Sequence, residues 1–325
     1  MYQENYFKLK EIVNKDGVII NVSKHHKPDG SMDVETNLKT WNDAIKSFPI
    51  VTPLWPEGKT PDYDDRAPLQ PEPSIVFVPA QEAGAPASGD RRATIIVACG
   101  GGFLTRTGCE GFNVAEYFAT HGFNTAILTY RLQPYGRKDA LNDIQRAIRL
   151  IRARKDEFGV TDTVICMGFS AGGMLSGNAA THFDAGNPSA EDPIERESCR
   201  PDGAVLGYGA FSFAALPGGF FVDPFSDQIR NPFFAGKEEL IYYSPEVNIS
   251  RETPPFFIWQ TNSDDPRNSF AMGQALTAMG VPFEMHLFPE GVHGLALADG
   301  HNDLAMDIPS VAQWAELCVN WLKKI

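Results

Sequence analysis

No apolar run in this 325-residue chain is long enough to cross a membrane, and its first residues, Met1-Tyr2-Gln3-Glu4-Asn5, lack the basic and then apolar stretches of a secretion leader. Cysteine is scarce: Cys99, Cys109, Cys166, Cys199 and Cys318 are odd in number and irregular in spacing. That argues against a disulfide framework or a zinc motif and leads us to expect reduced thiols in a cytoplasmic protein, secretion staying open only if a leader has been trimmed. In that setting the sequons at Asn21 and Asn248 carry no meaning. Basic residues are in deficit, 28 Lys and Arg against 41 Asp and Glu, for a formal charge of −13. Such a surface repels nucleic acid and anionic membranes, so neither is expected as a partner, and no feature calls for an oligomer.

What is present suits one large α/β enzyme: 43% hydrophobic residues, no internal repeat, and strands that alternate with helices. Residues 1–48 read as mixed and polar, with a strand at Val18-Ile19-Ile20-Asn21-Val22. From Pro49 to Asp90 proline is frequent, which implies extended chain wrapping the core, with Ser74–Val78 as an edge strand. We therefore expect an N-terminal extension over 1–90 and a catalytic domain over 91–325. Strands are expected at Ala93–Cys99, Asn124–Tyr130, the apolar run Val164–Met167, Ala204–Tyr208, Pro255–Gln260 and Phe283–Phe288. Helices are expected near Asn113–His121, Lys138–Phe158, Ser269–Met279 and Val311–Lys323. Arg146, Arg149 and Arg152 fall on one side of the second of these and read as a solvated face. The aromatic-rich stretch 211–250 interrupts the alternation and suits a lid over the strand ends, or an irregular segment packed on the core.

The chemistry centres on Val164-Ile165-Cys166-Met167-Gly168-Phe169-Ser170-Ala171-Gly172-Gly173. An apolar strand enters a Gly-x-Ser-x-Gly turn and leaves as a helix of small residues, the context of a nucleophile elbow at Ser170. A serine hydroxyl is a weak nucleophile, so it needs a base, an acid behind the base, and donors for the oxyanion. His293, in Gly291-Val292-His293-Gly294 just past the last strand, is the candidate base, with His301 a weaker one. Asp264 and Asp265 both follow the preceding strand. Asp before Pro266 reads as a helix cap, which assigns the cap to Asp265 and the histidine to Asp264; both stay candidates. Gly100-Gly101-Gly102-Phe103 follows the Ala93–Cys99 strand, so the N–H groups of Gly101, Gly102 and Ala171 are candidate oxyanion donors, with Phe103 a further site candidate. No Gly-Lys-Ser/Thr follows the glycines, which argues against a phosphate loop.

In this order the stretches resemble the α/β-hydrolase superfamily. The likeness rests on Gly100–Phe103, Glu110-Gly111, Tyr130-Arg131, Asp143, Gln145-Arg146-Ala147, Gly168–Gly173, Pro254-Pro255 and Gly291–Gly294, across about residues 93–300. It is similar to bacterial acetylxylan-esterase and feruloyl-esterase-like carbohydrate esterases and to hormone-sensitive-lipase-like esterases. The resemblance implies a mostly parallel, doubly wound sheet and a serine carboxylesterase acting on short, chiefly acetyl, esters of a small molecule or oligosaccharide, without cofactor or metal. Two departures stand out: Cys99 occupies a position where relatives carry His or Pro, and the run after Asp264 is short. An oligopeptidase-type serine peptidase shares the elbow and chain order, but usually adds a propeller that 90 residues cannot build. A binding protein that has lost catalysis would lack the nucleophile or the histidine, and both are present.

Overall fold

The structure, a computed structural model, describes residues 25–325 except 49, 65, 87 and 210–236. The strand expected at 18–22 and most of the aromatic insert lie outside the described residues. The eight strands among the described residues are β1 (Val51–Pro53), β2 (Ser74–Val78), β3 (Arg92–Ala98), β4 (Asn124–Thr129), β5 (Val160–Phe169), β6 (Gly203–Gly207), β7 (Phe256–Thr261) and β8 (Phe283–Phe288). They form one sheet in the order β1-β2-β4-β3-β5-β6-β7-β8. The pairs β1–β2 and β2–β4 are antiparallel and all later pairs are parallel. The parallel order puts the C-terminal ends of β3, β5, β6, β7 and β8 along one rim, where α/β sheets hold their ligands.

The helices are α1 (Val34–Ser47), α2 (Val114–Thr120), α3 (Arg137–Ala153), the short α4 (Lys155–Phe158), α5 (Ala171–Thr181), α6 (Lys237–Tyr242), α7 (Arg267–Met279) and α8 (Pro309–Leu322). No described helix is long and apolar enough to cross a membrane. Alternation along β3 divides the core. Ile95 and Val97 join Trp41, Phe112, Phe118 and Trp314 on one face, while Ile96 and Ala98 join Ile144, Ile148 and Leu175 on the other.

Four expectations need correction. Ser74–Val78 is not an edge: all five residues are buried between β4 and the three-residue β1, as a continuous apolar run on a two-sided sheet should be. The stretch read as polar contains α1, whose N-cap Asp33 accepts from Thr36 N and whose Leu38, Trp41 and Ile45 are buried at helical spacing. The Lys138–Phe158 helix breaks at Arg154 into α3 and α4, and α4 stops at Gly159 in the left-handed region.

The arginine stripe of α3 is not solvated. Arg146 and Arg149 are 2% and 7% exposed. Arg146 pairs with Asp192 at 2.6 Å and Glu195 at 2.5 Å, Arg149 with Asp184 at 2.7 Å, and Arg152 with Asp202 at 2.8 Å. The excursion between α5 and β6 brings those acids over the helix. At the rim end of α3, Asp143 takes the Arg131 guanidinium at 2.7 Å and the Arg131 N–H at 2.7 Å. Burial pushes its carboxyl up to about 6 against the pull of Arg131.

Candidate active site

The elbow follows from close packing. A Cβ on Gly168 would stand 2.0 Å from the Gly172 oxygen, and one on Gly172 would stand 2.0 Å from the Ala98 oxygen. Only glycine lets β5, β3 and α5 meet so tightly. Ser170 takes the turn between them with φ 52° and ψ −122°, and its N–H donates to Gly207 O at 3.0 Å. A non-glycine residue held there is a strained position that its surroundings must enforce.

The structure brings Ser170, His293 and Asp264 together from three loops. Ser170 Oγ lies 2.8 Å from His293 Nε2, and His293 Nδ1 lies 2.8 Å from Asp264 Oδ2. The Asp264 side chain is 1% exposed and that of His293 31%, so the acid is sealed and the imidazole edge reaches the surface. The Tyr208 ring meets the imidazole edge-on, with centroids 5.0 Å apart. Gln260 Nε2 donates to the Asp264 carbonyl and braces that turn.

Asp265 is engaged by Arg267. It has φ 41°, and its Oδ1 accepts the Arg267 N–H at 3.3 Å and Arg267 Nε at 2.6 Å. The helix starts at Arg267 with Pro266 as N-cap, one residue after the cap expected at Asp265. His301 is 57% exposed beside Asp299.

The glycine loop turns back on itself: Leu104 and Thr105 N–H groups both donate to Gly101 O, and a Cβ on Gly101 would strike Thr105 O at 2.3 Å. Gly100 N–H is taken by Glu110 Oε2. Phe103 is buried with φ 56°, its ring 3.8 Å from the Arg137 guanidinium carbon. At Gly102 and at Gly294 a Cβ would meet no described atom within 4 Å. Sequence reasoning did not single out Tyr208; its signal was its place at a strand C-terminus, in Gly207-Tyr208-Gly209.

The BD-FAE family model matches residues 84–269, more than half of the chain. The chain belongs to the BD-FAE family. This BD-FAE chain is 33% identical over 241 residues to endo-1,4-beta-xylanase B of Butyrivibrio fibrisolvens, a match over 70% of this chain and 36% of that protein. The chain thus spans about a third of that curated relative's length. Among solved structures, an acetyl ester-xyloside bifunctional hydrolase from Caldicellulosiruptor lactoaceticus is 32% identical with a TM-score of 0.73, over 85% of this chain and 96% of that one. A carboxylesterase from Lactobacillus plantarum is 25% identical with a TM-score of 0.61, over 78% and 92% of the two chains. The fold is that of the α/β hydrolases, and these structural neighbours are a hydrolase and an esterase.

Proposed function

We propose that this BD-FAE chain hydrolyses short-chain carboxylic esters, acetyl esters of carbohydrate first among them, through an acyl-enzyme on Ser170. The observation that carries this reading is the hydrogen-bonded line from Ser170 Oγ through His293 to Asp264. In the first half-reaction Ser170 Oγ attacks the ester carbonyl while His293 Nε2 takes its proton. Asp264 holds the proton on Nδ1 and stabilises the imidazolium. The N–H groups of Gly101, Gly102 and Ala171 receive the oxyanion; the removal of one such donor costs about 10²–10³ in kcat in comparable sites. As the tetrahedral adduct collapses, His293 returns the proton to the leaving alcohol. In the second half-reaction water attacks the acyl-enzyme by the same route, and the carboxylic acid leaves. The sugar ester as substrate is supported by the names of two relatives, the xylanase and the acetyl ester-xyloside hydrolase.

The test is hydrolysis of p-nitrophenyl esters from acetate upward, followed by acetylated xylan, feruloylated sugars and dipeptide amides. Activity should be highest on acetate and absent in Ser170→Ala. A wild type inactive on every ester, or an active Ser170→Ala, refutes the proposal; cleavage of amides alone would make it a peptidase.

A further inference from the structure

One more buried group lies at the strand ends, and the reaction just described does not use it. Glu110 belongs to the π-helical segment Cys109–Asn113 and is 2% exposed. A carboxylate at that depth has to be satisfied by donors. Its Oε2 accepts the Gly100 N–H at 2.6 Å, and its Oε1 accepts the Tyr208 hydroxyl at 2.8 Å. The Tyr208 oxygen in turn accepts the Ala296 N–H at 2.9 Å. Both backbone groups can only donate, so the single phenol proton is directed to Glu110 and both carboxylate oxygens accept. Burial first, and then the Glu110 charge, push the Tyr208 phenol well above its ordinary range, which keeps that proton in place.

Each end of this chain of bonds meets a loop that carries a reacting group. Gly100 opens the loop whose next two residues carry the oxyanion donors. A Cβ on Gly100 would stand 2.6 Å from Glu110 Oε2 and 2.7 Å from Ser170 Cβ, so the carboxylate and the nucleophile flank the same residue. Ala296 belongs to the loop that carries His293, and Trp314 Nε1 donates to its carbonyl at 3.0 Å. Tyr208 and Ala296 have φ of 33° and 49°, conformations that need support from their surroundings.

We propose that Glu110 and Tyr208 are positioning residues, a single buried strut that holds the oxyanion loop in register with the histidine loop. This rests on the ester-hydrolysis reading. The π-helical segment has a physical use in it: it turns Glu110 inward beneath Gly100. Oxyanion donors act only at about 2.7–3.1 Å from the developing charge, and a 1 Å misplacement can cost about 10²-fold in rate.

The experiment compares wild type, Tyr208→Phe, Glu110→Gln and the double variant on p-nitrophenyl acetate, with rates expressed per site titrated by a fluorophosphonate, so that unfolded protein is not counted. Tyr208→Phe keeps the ring against His293 and removes both hydroxyl bonds. Its kcat should fall about 10–100-fold while KM stays within about threefold. Affinity for phenylboronic acid, which forms a tetrahedral adduct on the serine, should fall in parallel. The double variant should lose no more than the worse single one, because a strut cut once is already cut. Should Tyr208→Phe fail to fold, Glu110→Gln carries the test: its amide keeps the acceptor for Gly100 but meets Tyr208 with a donor, so the charge-assisted bond is replaced by a reversed, neutral one and the phenol proton loses its acceptor. Unchanged kcat per titrated site, a loss confined to KM, unchanged boronate affinity or additive losses each overturn the strut. An active wild type with unperturbed variants refutes the strut alone; an inactive wild type or an active Ser170→Ala refutes the ester reading and the strut with it.

Discussion

The rim of the sheet and the outer face of α3 are both built from polar side chains, yet they are held in opposite ways. At the rim, each of five neighbouring strands is followed by at least one non-glycine residue with positive φ: Phe103 after β3, Ser170 after β5, Tyr208 after β6, Asp265 after β7, and Ala296 and Ala298 after β8. Strain of that kind costs on the order of 1–3 kcal/mol per residue and persists only where the surroundings over-determine it. The described residues of α3 contain no such position; there the burden is charge, with Arg146, Arg149 and Arg152 engaged by four acids of the 184–202 excursion. The rim sets backbone geometry for chemistry, whereas the α3 face fastens one segment to another. Substitutions at the first should therefore change rate with little change in stability, and substitutions at the second should do the reverse.

The largest effect expected is at the rim. Ser170→Ala and His293→Ala should each lower kcat by about 10⁴-fold or more, as when a member of a cooperating triad is removed. Neither should lower the melting temperature, because Ser170 is a small residue at a turn set by backbone and His293 is partly exposed. Ester turnover beside thermal unfolding decides this, and a matching loss of fold would break the contrast. Next come the adjacent carboxylates. Asp264→Asn should cost about 10²–10⁴ in kcat by leaving His293 Nδ1 without a charged acceptor. Asp265→Asn should stay within about twofold, since Asp265 serves Arg267. Equal losses in the two would remove the distinction drawn from geometry.

How far the sequence was legible follows the same division. That Ser170, His293 and Asp264 come together was legible because each follows closely on the end of an apolar strand, with glycine close by at Ser170 and His293. The glycine loop was legible for the same reason. The α3 face was not, because Arg146 and its acids are 46 and 49 residues apart, and helical periodicity reports only which side of a helix a residue takes. Asp192 and Glu195 sit in a stretch with no regular pattern that could announce where it lands. Ser74–Val78 was misjudged for a related cause. A five-residue apolar run looks the same at an edge or inside, and its cover, β1, is three residues long and ends in Pro53. Glu110 entered only through family resemblance, since nothing local marks a π-helical turn.

A smaller effect is expected on the α3 face. Arg146→Met keeps the apolar stem but drops the contacts to Asp192, Glu195 and the Leu54 carbonyl. Both acids are about 40% exposed and regain water, so the cost should be about 1–2 kcal/mol rather than the larger penalty of stranding a buried charge. Urea unfolding should show the loss while kcat/KM on an acetyl ester stays unchanged; a fall in kcat/KM per folded molecule would mean that this face communicates with the rim.

The smallest effect is on pH dependence. Desolvation pulls Asp184 upward but is outweighed by the bonds from Arg149 and the Gly186 N–H, so its pKa is lowered. Asp192 is lowered in the same way, its desolvation outweighed by the Ile194 N–H and Arg146. A carboxylate depressed in the folded state adds stability that is complete above its unfolded value, near pH 4, and lost as pH falls through the lower folded value. Wild type should therefore lose stability below about pH 4 more steeply than Arg146→Met or Arg149→Met, in which one of these carboxylates is closer to its free state. The three curves should run parallel between about pH 5 and 7, where both acids are ionised folded or unfolded. Unfolding free energy measured across both windows makes the comparison. Equal slopes below pH 4 would mean that the arginines fasten the excursion by their hydrogen bonds to backbone carbonyls, such as Arg149 to Glu197 and Arg152 to Ser198, and not by charge.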